Sequence, residues 1–163
     1  MTEPADAADS AAAPTGRPTL VTVALVAWIV GAVAVLLLGL LSLTFPVSTL
    51  REQILEGGGT ASDADGLATI LRTVGVLFVV VGAGVGFLAG PTCRRGDVRF
   101  RRALMVLSAL AALFLLGSVL IGFAVVPLLA TVGALTFLVA SLLVYRPGAA
   151  AWFAPAAGEA DAS

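Results

Sequence analysis

The chain has 163 residues, of which 60% are hydrophobic and 12% charged, with a formal net charge of −1 and a mean hydropathy of +1.08. A domain of this length buries only about 70% of its unfolded surface, so this much apolar area exceeds what a water-soluble body can hide. Soluble globular, disordered and disulfide-scaffold classes are excluded, and an integral membrane protein remains.

Residues 1–19 are rich in Ala, Pro, Ser, Thr and acid (Glu3, Asp6, Asp9) and show no apolar periodicity. They read as a disordered tail. Between Arg17 and Arg51 lie 33 uncharged residues. About 20 apolar residues in a helix cross the roughly 30 Å hydrocarbon core, so this interval holds a first span over 20–45. A signal peptide would begin with basic residues and a shorter apolar run, so the segment reads as a retained anchor.

The following loop carries local order. Thr49-Leu50-Arg51-Glu52 has capping-box spacing, and Leu50, Ile54 and Leu55 form an apolar stripe. Gly57-Gly58-Gly59 then stops the helix. A two-turn interfacial helix is expected, with Asp65, assisted by Asp63, capping the start of the next span.

The second span is expected over 67–90, within the 21 uncharged residues between Arg72 and Arg94. Its run Gly82-Ala83-Gly84-Val85-Gly86 starts like a dinucleotide fingerprint. Phe87 stands where the third glycine belongs, however, and there is no strand–helix–strand context. The spacing Gly82, Gly86, Gly90, with Gly75 one heptad earlier, instead forms a small-residue face for close helix approach. Ala27 and Gly31 of the first span are the expected partners within the chain, and an oligomer contact is the alternative. Arg72 falls near the span's start and can snorkel toward Asp63 or Asp65. Asp63-Ala64-Asp65-Gly66 echoes a calcium loop, but Ala61 and Arg72 occupy the first and twelfth ligand positions.

Pro91 to Arg102 is expected as a loop holding Arg94, Arg95, Arg99, Arg101 and Arg102. It fixes topology and suits anionic lipid headgroups. Nucleic-acid binding does not fit so short a membrane loop. The next 43 residues are uncharged. As one helix they would run about 65 Å, so they divide into spans at 103–121 and 126–145, turning at Gly122 and Pro127. The apolar connector Phe123-Ala124-Val125 is expected at the headgroup boundary. Residues 146–163 read as a flexible tail in which Trp152 and Phe153 rest at the interface.

With four spans, both termini and the second loop share a side. Seven arginines lie there, against Arg51 and Arg72 opposite. The positive-inside rule places the termini in the cytoplasm and the chain in the plasma membrane as a multi-pass protein.

The spans contain no Asp, Glu, His or Lys, and the whole chain has no His and one cysteine, Cys93. Ion-coupled transport and intramembrane metal chemistry need such groups at depth, and a serine nucleophile needs an activating base. No catalytic residue, metal site or cofactor is expected. The span hydroxyls are expected to bond to backbone or to neighbouring helices.

The chain resembles small four-span membrane proteins of GC-rich, actinobacterial-type genomes. The acidic Ala/Pro leader, the run Arg94-Arg95-Gly96-Asp97-Val98-Arg99-Phe100-Arg101-Arg102, and the exit Tyr145-Arg146-Pro147 with Trp152-Phe153 carry the likeness. It implies no activity, so no site is carried over. Small multidrug transporters also have four spans, but their first-span carboxylate has no counterpart here. The expected object is an all-α four-helix membrane bundle. Its expected role is a non-enzymatic accessory or scaffold component packing with a membrane protein or a second copy. A small uncoupled channel or carrier formed by an oligomer is the alternative.

Overall fold

The computed structural model describes residues 18–95, 98–120, 122 and 126–153. Among these the chain is all-α, and four helices are long and apolar enough to cross a membrane. The protein is a multi-pass membrane bundle.

Helix α1 (Thr19–Thr44) begins behind Pro18, whose carbonyl accepts from the amides of Val21 and Thr22 at 3.0 and 3.2 Å. It ends at Phe45, which is extended because the following Pro46 disfavours helical backbone before it. Helix α2 (Val47–Glu56) starts at once, with no side-chain cap. The expected box at Thr49 and Glu52 therefore does not form: Thr49 already lies inside the first turn. The glycine stop does form. Gly58 takes φ +82°; its amide donates to Leu55 O at 3.1 Å and that of Gly59 to Ile54 O at 2.8 Å, the paired bonds of a Schellman ending.

Helix α3 (Ala61–Arg95) is 35 residues long and outruns the expected 67–90 at both ends. At its start the Thr60 amide donates to Asp63 Oδ2 at 2.8 Å, and the Asp63 amide to Thr60 Oγ1 at 3.2 Å. Asp63, not Asp65, is thus the capping carboxylate. At the other end the helix passes through Pro91. A side chain just before proline clashes with the proline ring in helical geometry, and Gly90 has none. Thr92 Oγ1 donates to Leu88 O at 2.7 Å in the same turn.

Helix α4 (Val98–Leu120) follows after two residues. The expected twelve-residue loop is therefore mostly helix: Arg94 and Arg95 end α3, while Arg99, Arg101 and Arg102 open α4. Gly122 takes φ +70°, and α5 (Pro127–Val144) opens with proline in its first turn. The turn residues expected at Gly122 and Pro127 are both used. Phe123, Ala124 and Val125, and the tails at 1–17 and 154–163, lie outside the described residues. A one-turn helix α6 (Pro147–Ala150) and a 3₁₀ turn at Ala151–Phe153 close the described chain.

Helix α1 packs most extensively, on α3 and α5; α4 packs on α5, and α3 touches α4 least. The ring runs α1–α3–α4–α5. Trp28, Leu38, Leu115 and Phe137 fill it and are completely buried. Large apolar side chains such as Val26, Ile29, Leu40, Val80 and Leu142 face outward, which only a lipid environment tolerates on this scale.

Candidate functional site

Three surfaces carry the residues singled out in the sequence: a glycine seam, an apolar groove and an arginine-bearing end.

The seam joins α1 to α3. A Cβ placed on Gly39 would stand 2.8 Å from the Gly75 carbonyl oxygen, and one on Gly82 would stand 3.0 Å from the Ala32 carbonyl oxygen. The backbones come this close because Gly39, Gly75 and Gly82 carry no side chain there. The glycine face thus meets α1 at Ala32, Leu36, Gly39 and Leu43 rather than at Ala27 and Gly31. Gly31 turns to α5, where a Cβ would stand 2.5 Å from Phe137 Cε1. Ala27 is half-buried against the core. Gly86 is only in ordinary contact with Ala32, and open space surrounds the Cβ position of Gly90. The expected face is therefore used in its first half. Gly39 has Val35 and Leu43 four residues to either side, so no GxxxG spacing on α1 marks it as a contact residue.

Between α3 and α4 the helices part, leaving an apolar groove of about 720 Å³. Its walls include Leu77, Val81, Leu110, Leu113 and Gly117. At its side Phe78 and Phe114 meet edge to face, ring centroids 5.6 Å apart. Toward the arginine end the gap is narrower, and a Cβ placed on Gly84 would stand 3.7 Å from Leu107 Cδ2. No sequence pattern marked this groove, because it arises from what the two helices fail to bury.

At the arginine end, Arg101 departs from the expected loop role. It is half-buried on α4, with its guanidinium carbon 5.0 Å from the Tyr145 ring centroid and 5.0 Å from that of Phe153. Phe153 is itself buried, together with Ala149 and Val144. The segment after Arg146 therefore folds back against the bundle, at least through Phe153. Phe153 belongs to the core rather than to the interface, and Trp152 packs on it half-buried. Arg101 Nε and Trp152 Nε1 are buried N–H donors without an acceptor among the described residues. Arg99 and Arg102 are exposed; the side chains of Arg94 and Arg95 lie outside the described residues.

The remaining polar groups are mostly satisfied locally. Ser42, Thr73, Ser118, Thr131 and Thr136 donate to carbonyls three or four residues back. Ser108 accepts from Trp28 Nε1 at 3.1 Å. Buried Ser141 Oγ has no partner among the described residues. Cys93 is completely buried. Arg72 is exposed eleven residues into α3 and makes no ion pair to Asp63 or Asp65, because the helix starts earlier than expected and carries both carboxylates two turns or more away. From Arg72 to Arg94 the helix rises about 33 Å, close to one hydrocarbon thickness. Asp63 stands beyond that apolar stretch. The Thr60 hydroxyl, then the Thr60 amide, hold its carboxyl below the usual aspartate range.

Among the described residues no group of three or more His, Cys, Asp or Glu gathers. No family model, curated protein or solved structure matches the chain.

Proposed function

We propose that the chain is a non-enzymatic accessory or scaffold component of the plasma membrane, with both termini cytoplasmic, that packs sideways against another membrane protein. The observation that carries this reading is the groove between α3 and α4. Every other neighbouring pair in the ring is packed more closely, yet here about 720 Å³ of apolar space opens between two membrane-crossing helices. In lipid, helices associate through shape and van der Waals contact rather than through expulsion of water. A ready-made apolar recess suits the side chains of a further transmembrane helix.

The channel alternative needs a pore between copies, since Trp28, Leu38, Leu115 and Phe137 fill the space inside one ring.

Gly117 supplies the test. It lines the groove, and nothing lies within 4 Å of its Cβ position, so Gly117→Leu adds bulk to the recess from a point where the first added carbon meets none of this chain's own atoms. Co-purification of a membrane partner from native membranes should fall in that variant while its thermal unfolding stays unchanged. An unchanged partner yield contradicts the reading. Solute flux through liposomes holding only this protein would favour the channel instead.

A further inference from the structure

We propose that Arg101 and Trp152 form a binding site for a phosphate oxyanion, supplied by the headgroup of an anionic phospholipid. The proposal rests on the reading that the arginine end meets an anionic leaflet.

Arg101 is placed unlike its neighbours. Arg99 and Arg102 are exposed, whereas Arg101 is half-buried on α4 three and seven residues before the fully buried Leu104 and Ser108. Its guanidinium lies 5.0 Å from two aromatic rings, those of Tyr145 and Phe153. The rings attract the cation and limit its movement, but they offer no lone pair to an in-plane N–H. Nε is buried and meets no acceptor among the described residues. The indole N–H of Trp152, next in sequence to Phe153, is in the same condition. A buried donor left unpaired is costly, and here one stands on the cation that lies over Phe153 and the other on the residue next to Phe153 in sequence.

The missing chemistry is an oxygen acceptor with negative charge. A phosphate diester meets that need, because its non-bridging oxygens match the donor edge of a guanidinium. Depth favours the lipid as its source. Arg101 sits two residues before Ala103, where the uncharged stretch of α4 starts. Tyr145 and Trp152 are residue types that favour the headgroup level. Exposed Arg102 and Arg146 add positive charge at the same end.

The experiment is native mass spectrometry of the full chain in detergent, titrated with phosphatidylglycerol or phosphatidylcholine, with inorganic phosphate as competitor. It requires neither a protein partner nor a defined orientation, so it can fail while the accessory reading stands, and the reverse. Phosphatidylglycerol should bind the wild type more tightly than phosphatidylcholine and resist millimolar phosphate. Arg101→Gln should lower that affinity about tenfold, the scale of one charge-assisted hydrogen bond; Arg102→Gln should change it less than twofold. Trp152→Phe keeps an aromatic ring and removes only the indole donor, so it reads the site even if Arg101→Gln unfolds; it should weaken binding several-fold. Equal losses in the Arg101 and Arg102 variants would mean diffuse attraction and overturn the site. Displacement by inorganic phosphate would overturn the lipid as its source. If Asp97→Asn or Glu159→Gln raised lipid affinity in the wild type but not in Trp152→Phe, the donors would belong to the chain's own carboxylates, and the proposal would fall.

Discussion

Trp28 Nε1 donates to Ser108 Oγ at 3.1 Å across the diagonal of the bundle, joining α1 to α4 at a point where both residues are fully buried. Helices α1 and α4 otherwise scarcely meet. The bond therefore reports whether the ring is closed. A double-mutant cycle with Trp28→Phe and Ser108→Ala should give a coupling energy of about 0.6–1.7 kcal/mol, the range for hydrogen bonds between membrane helices. Ser108→Ala alone should cost about 1–3 kcal/mol, since it strands a buried donor. Steric-trapping measurements in bicelles supply both numbers. A coupling of zero means that the diagonal contact does not form.

The glycines separate by sign. Gly39→Ala pushes a methyl group toward the Gly75 carbonyl, which cannot rotate away, so the helices must part. A loss of about 2 kcal/mol or more is expected. Gly66→Ala adds the same methyl group to an exposed helical position with open space around it, and should stabilise the fold by about 0.5–1 kcal/mol. Thermal unfolding of the two variants in one detergent checks the contrast.

Cys93 is buried beneath the arginine end, so it should react slowly with a membrane-impermeant maleimide whether or not cells are permeabilised. Orientation is better read in a Cys93→Ala background. Thr49→Cys, on exposed α2, should label from outside intact cells. Ser10→Cys should label only after permeabilisation. The reverse pattern overturns the cytoplasmic placement of the termini.

The Thr60–Asp63 box is sensitive to acid. Its carboxyl lies below the usual aspartate value of about 3.9, so the ionised form is favoured in the folded chain. The contribution to helix stability is complete above that usual value and disappears as the pH falls through the lowered one. The protection of the Asp63 and Ala64 amides, measured as exchange relative to the unfolded chain at the same pH, should therefore be lost only under strongly acidic conditions. In Asp63→Asn it should be low at every pH.

The four spans were legible because charge is excluded from the bilayer, and a run of 21 to 43 uncharged residues leaves little choice of architecture. The ends were less so. Asp65 and Asp63 are equally good caps in composition, and Thr60, three residues before Asp63, selects between them. Pro91 reads as a helix stop unless the missing side chain of Gly90 is taken into account. The arginines read as one loop because charge marks the membrane boundary but not whether the backbone there is helical. Gly75 and Gly82 announced a packing face by spacing; Gly39, its counterpart, had no partner in its own helix to mark it. The groove and the Arg101–Phe153 contact depend on pairs far apart in the chain, and no local pattern encodes them.

The lateral-packing claim is tested most directly by photocrosslinking in native membranes, with benzoylphenylalanine at Leu113 in the groove and at Leu40 on the opposite, outward face of α1. Leu113 should give a discrete adduct with a second membrane protein, absent at Leu40 and reduced by Gly117→Leu. Adducts that are the same from both positions, or that contain only lipid, would contradict it.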